Sequence, residues 1–442
     1  MHVSTRDHSS HPGPDGTDAD LIVVGAGVAG LAAAMTAAAT GRRTLVVDAH
    51  GVGGRGRTAD HHGWSLNVGP HALYRRAALE QLLDRHGIVC AGGMPATDDA
   101  WLVRDGAAHP QRLSPGAIAR TSLLGRRDRL RLLALLARVQ RLDPERHVGR
   151  SLADWLREVP VPVRQFVEMF ARVGTYTHAP EVLDAGAALR QVQLAVGPGV
   201  RYLDGGWATM LDAMASRVRS LGGEIRTGVE VSAVRSLAGG PGVEVHLAGG
   251  TVVLATGAVI ATGGPDTASR LTGRPVVGVE RLTPPVTASA LDLCLTRAVP
   301  RVAFALDEPL YLSAHAPAAR LAPAGGGLVS VLRYHAPGAD PAPADIARGE
   351  LRAFATTAGI VGRDVAHERY LHRVVVAHGA PTAAGGGLPG RPQVDCLGLP
   401  DVVVAGDWVG PTGLLADASA ASGVEAAETV CRRLDERGTI AA

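Results

Sequence analysis

The 442-residue chain contains no lysine; all 44 of its basic residues are arginine. Chemistry that depends on a lysine amine, Schiff-base formation above all, is therefore excluded. Aromatic residues make up only 3% of the chain, so a site walled by several rings has few candidates. The four cysteines, Cys90, Cys294, Cys396 and Cys431, lie far apart with no metal-binding spacing. They read as incidental thiols in a reducing cytosol. The seventeen histidines include the adjacent His61 and His62 but no H-E-x-x-H or comparable pair, so no metal is expected. No apolar run approaches a membrane span, and a net charge of +2 gives no reason to expect nucleic acid. What remains is ordinary for a globular protein: 46% hydrophobic and 19% charged residues, in a chain long enough for two lobes.

Two distant stretches carry the chemistry. Residues 21–25 form an uncharged, β-branched run suited to a buried parallel strand. Gly25, Gly27 and Gly30 follow in G-x-G-x-x-G spacing with Ala29 inside the turn. The first glycine permits the tight turn, the second lets a pyrophosphate approach the backbone, and the third lets the next helix pack on the strand. An alanine-rich helix over 31–40 presents its N-terminus to the phosphates and stops at Gly41. A second buried strand over 44–47 ends at Asp48, about 20 residues on, where a carboxylate can accept ribose hydroxyls. This is a dinucleotide site for NAD or FAD. Gly53, Gly54 and Arg55, with Arg57 and Thr58, add a second glycine turn with an arginine suited to a diphosphate. Far downstream, residues 401–429 read DVVVAGDWVGPTGLLADASAASGVEAAET.

In these motifs the chain resembles the flavin amine oxidase and phytoene desaturase superfamily, over nearly its whole length. The matching segments are the GG-R turn at 53–55, Asn67–His71 (NVGPH), Asp204–Trp207 (DGGW), the hydrophobic run 258–264 with Pro265, and Gly406-Asp407-Trp408 with 421–423. The resemblance implies FAD rather than NAD, held non-covalently. Some relatives attach flavin through a cysteine near the closing motif, but Cys396 lacks the matching glycine context. It further implies that Gly25, Gly27, Ala29, Gly30 and Asp48 hold the ADP half. Gly54 and Arg55 would steady the diphosphate, Val231 meet the adenine and Gly263 line the turn. Asp407 would contact the ribityl–diphosphate region, Gly69, Pro70 and His71 would lie beneath the isoalloxazine, and a helix near Leu415 would face the flavin. His71 is the candidate for moving a proton, and Tyr176, Trp207, Tyr370 and Trp408 are candidate pocket walls. Many amine oxidases of the superfamily use a lysine that holds a water against the flavin, and they frame the amine with two rings. A chain without lysine and poor in aromatics looks closer to the carotenoid and squalene desaturase-like branch.

The expected fold is α/β: a doubly wound, Rossmann-like FAD domain interleaved with a mixed α+β substrate domain carrying a helical cap. The FAD domain would comprise 19–92, 201–265 and 390–434, the substrate domain 93–200 and 266–389, and tails 1–18 and 435–442. Leucines at helical spacing over 130–142, among arginines over 120–146, could rest on an anionic membrane surface. The protein is expected in the cytoplasm, peripheral at the inner membrane surface if that segment binds lipid. The expected activity is hydride transfer with a lipophilic small molecule, desaturation of an isoprenoid or secondary-metabolite intermediate being the leading form. Amine oxidation with peroxide release, flavin-dependent isomerisation without net redox change, and flavin binding without turnover remain open.

Overall fold

The computed structural model describes residues 17–441 except residue 239; most of the expected tail 1–18 lies outside the described residues. The first lobe is built on a sheet ordered Glu224–Thr227, Thr44–Asp48, Ala19–Val24, Val252–Ile260, Val243–Leu247, Val231–Ser236. Val402–Val404 adds to it in parallel against the C-terminal half of Val252–Ile260. Ala19–Val24 pairs in parallel with Thr44–Asp48 on one side and Val252–Ile260 on the other. The strand is central, which is why Leu21, Ile22 and Val23 have no solvent exposure. Three separated stretches of sequence thus meet in one doubly wound core.

Two runs expected as separate pieces, around 252–254 and 258–264, form the single strand Val252–Ile260. Gly257 does not break it. A Cβ there would lie 2.5 Å from Val430 Cγ1, so this glycine admits the closing helix rather than a turn.

That closing helix, Leu415–Ala441, continues past the expected boundary at 434. It packs against the alanine-rich helix Val28–Ala39, whose buried residues include Ala29, Ala32, Ala33 and Met35. Small residues allow the contact: a Cβ on Gly423 would lie 2.3 Å from the Ala29 carbonyl oxygen. The backbones therefore approach to a distance that no larger residue permits, and the end of the chain is pressed onto the glycine turn at its beginning.

The second lobe carries a sheet ordered Val365–Ala377, Val286–Leu295, Gly327–Tyr334, Leu310–Ala316, Val302–Ala305, Ala100–Arg104, Ala107–Pro110. The strands at 287–295, 301–306 and 327–332 and the helix at 343–358 are legible in sequence. The longest strand, Val365–Ala377 (VAHERYLHRVVVA), is not: it is half-exposed, interrupted by bulges, and lacks a clean alternation. Helices Arg126–Val139 and Val161–Thr175 form the cap. Leu132 and Val139 of the arginine-rich helix are buried in the lobe, whereas Leu130 is 69% exposed. Among the described residues no helix is long and apolar enough to cross a membrane.

The Gly423 contact yields a test of the closure. Gly423→Ala should destabilise the protein by about 1–3 kcal/mol, the usual cost of overpacking, in denaturant unfolding. It should also release flavin more readily on dilution, because the helix it displaces starts at the glycine turn.

Candidate functional site

Between the two lobes lies a cavity of about 460 Å³, lined by Gly25, Gly27, Asp48, Gly54, Arg55 and Asp407 at one end. A second cavity of about 220 Å³ shares Gly25, Asp48, Gly54 and Thr262 with it and reaches Val229, Glu230 and Val231. Together they make a bent trough, one arm towards Val231 and the other towards the substrate lobe.

The glycine turn is shaped as the spacing requires. Gly25 has φ +111°, a left-handed conformation that other residues rarely adopt. A Cβ on Gly30 would fall 1.8 Å from the Gly25 carbonyl oxygen, so this glycine serves helix packing and does not line the trough. Gly27 has nothing within 4 Å of its Cβ position, which leaves open space at the helix N-terminus for a phosphate. Asp48 Oδ2 accepts from the Ala26 N–H at 2.8 Å, and Oδ1 accepts from His50 and Gly51 at 2.8 and 3.0 Å. The carboxylate is thus held rigid with acceptor capacity to spare for hydroxyls.

Arg55 joins the opening of the chain to its close. It donates to the Asp407 carboxylate and to the Val376 carbonyl, at 3.0 and 2.7 Å. His378 adds its backbone N–H and Nδ1, each 3.0 Å from Asp407. Burial alone would raise the Asp407 carboxyl, but the charge of Arg55 and the hydrogen bond from His378 outweigh it and hold it below the usual carboxylate range. Asp407 lines the trough, yet its donors come from the protein: it fixes Arg55 more directly than it could fix a ribityl chain. The fully buried Arg391 supports the same turn, donating to the carbonyls of Asp407, Thr412 and Gly413. Nothing in its Gly-Arg-Pro context marks it in the sequence.

At the other end, Gly69, Pro70, His71, Tyr176 and Trp207 line the cavity, as do Ala29, Gly263 and Leu415. His71 Nδ1 lies 2.9 Å from the Gly69 carbonyl, which requires a proton on Nδ1 and leaves Nε2 a lone pair. Burial pushes this imidazole down to about 4, with Arg55 adding to the effect, so it is neutral at pH 7. The Trp207 ring meets it edge-on at 4.7 Å, and the buried indole N–H has no protein partner. Ala288, Ala290, Leu332, Val374 and Val376 add an apolar stretch of wall.

Two expected wall residues lie elsewhere. Tyr370 is not among the lining residues; its hydroxyl reaches Ser289 and His372 away from the cavity, because the bulge between Leu371 and Val374, where Arg373 has φ +52°, breaks the alternation that would otherwise put it on the face of Val374. Trp408 is 1% exposed within the core of the first lobe and also lies outside the lining. His178 stays outside the cavity as well, while His378 lines it.

The sequence reading missed Asp417, which lines the cavity on the first turn of the closing helix. Its Oδ1 accepts from the Leu79 N–H at 2.9 Å. Burial raises its carboxyl to about 7, the Leu79 hydrogen bond opposing and Glu80 reinforcing. An acid in the first turn of a helix is a common surface feature, so only its burial distinguishes it.

The Asp417 shift fixes a pH window. The folded protein holds a proton there that the unfolded chain releases near pH 3.8, so stability falls as pH rises from about 4 to about 7 and levels off above. Asp417→Asn, which keeps the acceptor for Leu79, should match the parent in thermal melts near pH 4. It should exceed it increasingly towards pH 8, by at most ~4 kcal/mol.

The trough fits a flavin dinucleotide: a glycine cradle open at Gly27, a fixed ribose acceptor, an arginine at the diphosphate and an unpartnered indole N–H further along. Solved structures of the same fold include an oxidoreductase from Methanosarcina mazei, 18% identical with a TM-score of 0.71, covering 92% of this chain and 99% of that one. Wild-type putrescine oxidase bound to putrescine is 16% identical with a TM-score of 0.73, covering 94% and 99%. A putative protoporphyrinogen oxidase from Exiguobacterium sp. 255-15 is 16% identical with a TM-score of 0.68, covering 94% and 98%. No curated protein matches the sequence. Residues 28–431, spanning the GG-R turn, both lobes and much of the closing helix, match the flavin containing amine oxidoreductases, and the chain belongs to that family of FAD-dependent oxidoreductases.

Proposed function

We propose that the protein removes hydrogen from a hydrophobic small molecule, as a desaturase or dehydrogenase of an isoprenoid or secondary-metabolite intermediate, with FAD bound non-covalently. The observation that carries this reading is the apolar wall of Ala288, Ala290, Leu332, Val374 and Val376 facing Trp207 and the neutral His71. Bound FAD supplies the hydride acceptor. The protein's own groups orient and dry the site. Trp207 and Tyr176 flank the substrate end, and the strand walls exclude water from it. Desaturation also releases a proton, which His71 can accept at Nε2 while Nδ1–H stays on the Gly69 carbonyl. An imidazole titrating at about 4 surrenders that proton promptly at neutral pH.

Amine oxidation is the competing reading, favoured by the family and by a putrescine oxidase among the similar structures. One feature weighs against it: the chain has no lysine to hold a water at the flavin.

Anaerobic flavin bleaching separates the readings. Lipophilic alkenes and their saturated precursors should reduce the flavin and lose two mass units, and amines should leave it oxidised; bleaching by amines with peroxide release in air would reverse the assignment. A product of unchanged mass would point to isomerisation. Ala290→Leu, which narrows the apolar wall, should keep the flavin spectrum and lower kcat/KM for the hydrophobic substrate by roughly tenfold to hundredfold.

Contact of residues 120–146 with anionic headgroups extends the same reading, supported by the arginine-rich face and the exposed Leu130. Binding to anionic liposomes should appear at low salt and fade at high salt; absence of binding at low salt would end the idea.

A further inference from the structure

Away from the flavin cavity, the fold assembles a third histidine onto a pair that the sequence leaves incomplete. Thr58–His61 and Trp64–Asn67 form a two-stranded hairpin with His62 and Gly63 as its two-residue turn. Both turn residues have positive φ, +53° at His62 and +88° at Gly63, the pattern of a type I′ turn. That position favours asparagine, aspartate or glycine, and histidine is among the few other side chains that take positive φ more readily. A continuing strand would send His62 to the opposite face from His61. The turn instead brings the two rings to 4.8 Å.

His367, on the long strand Val365–Ala377, completes the group. Its ring stacks on His62 at 4.7 Å and meets His61 edge-on at 5.2 Å. One nitrogen from each of the three residues lies within 4.8 Å of the others. Trp64 braces His367 edge-on at 5.7 Å, and its indole N–H is tied to the Gly327 carbonyl at 3.0 Å. The supporting frame is therefore fixed, with a nitrogen of each ring gathered close to the others. A tetrahedral zinc with Zn–N of about 2.0–2.1 Å needs nitrogens roughly 3.3 Å apart, within reach of small ring rotations.

We propose that His61, His62 and His367 form a mononuclear site for a borderline divalent transition metal, zinc being the natural occupant, with a fourth position open to water. None of the three lines the flavin cavity, so the ion is structural. It pins the hairpin that follows the GG-R turn onto the strand that runs on to Val374–Val376. Imidazole ligands also suit copper and nickel.

The test uses tag-free, FAD-loaded protein stripped with chelating resin. It is titrated with ZnCl2 by calorimetry, and bound metal is read by mass spectrometry after gel filtration. One zinc per chain should bind with a Kd of roughly micromolar or tighter and raise Tm, and His367→Gln should weaken binding by about tenfold or more. His2, His8 and His11 remain in every protein, so binding to them cancels in the comparison. His62→Asn puts the favoured residue into the turn. Without metal it should melt no lower than the parent, and with zinc it should lose the rise in Tm, separating a ligand role from a folding role. Equal zinc stoichiometry and affinity in His367→Gln and the parent, or no zinc retained by the parent, would overturn the proposal.

Discussion

The Asp407 carboxylate is the constraint on which the site depends. It lies buried where the last segment returns to the first lobe, and its partners come from two other parts of the chain: Arg55 from the opening glycine turns, and His378 from the end of the long substrate-lobe strand. Arg55 in turn donates to Val376 beside His378. A buried carboxylate with incomplete partners is costly, so all three segments must be in place together. The interleaved order of the chain then makes physical sense. Neither lobe can complete the flavin trough alone, because its charged floor is shared between them.

The close-packed side of the same junction is apolar. Gly423 lies on Ala29, Gly257 lies under Val430, and Gly30 touches the Gly25 carbonyl. The first two contacts seat the closing helix on the helix that holds the phosphates and on the central sheet, and the third holds the phosphate helix against its own turn. Charge sets the floor of the trough and backbone contact sets its rigidity. Arginine suits the first task better than lysine could, since its fork binds a carboxylate and a carbonyl at once.

What the sequence reveals follows from this division. The first lobe is legible because its strands are buried on both faces and its turns require glycine: runs such as 21–25 and 44–47 and the spacing of Gly25, Gly27 and Gly30 can hardly mean anything else. The substrate lobe is less legible. Val365–Ala377 is partly exposed along nearly its whole length and broken by bulges, so charged residues such as Glu368 and Arg369 interrupt its pattern although both are used, Arg369 pairing with the buried Asp292. The residues that fill the site divide in the same way. Those attached to glycine motifs, Gly69 to His71, line the cavity. Tyr370 and Trp408 are misplaced because chemical type alone does not say which face of a strand or turn a ring will take. Asp417 and Arg391 escape notice because burial alone makes them unusual, and burial is a property of the assembled fold.

The same distinction bears on the reaction. Burial holds His71 neutral at pH 7 and raises the Asp417 carboxyl to about 7, so that only about half of it is charged there. The charges that persist, Arg55, Asp407 and Asp48, are gathered at the dinucleotide end and engaged with one another or with backbone. Under the proposed reading, electrostatic selection falls mainly on the cofactor, and the substrate would be selected by shape and loss of water contact. The chain has no lysine, and its cavity walls combine small aliphatic residues, Ala288, Ala290, Val374 and Val376, with the rings of Tyr74, Tyr176 and Trp207.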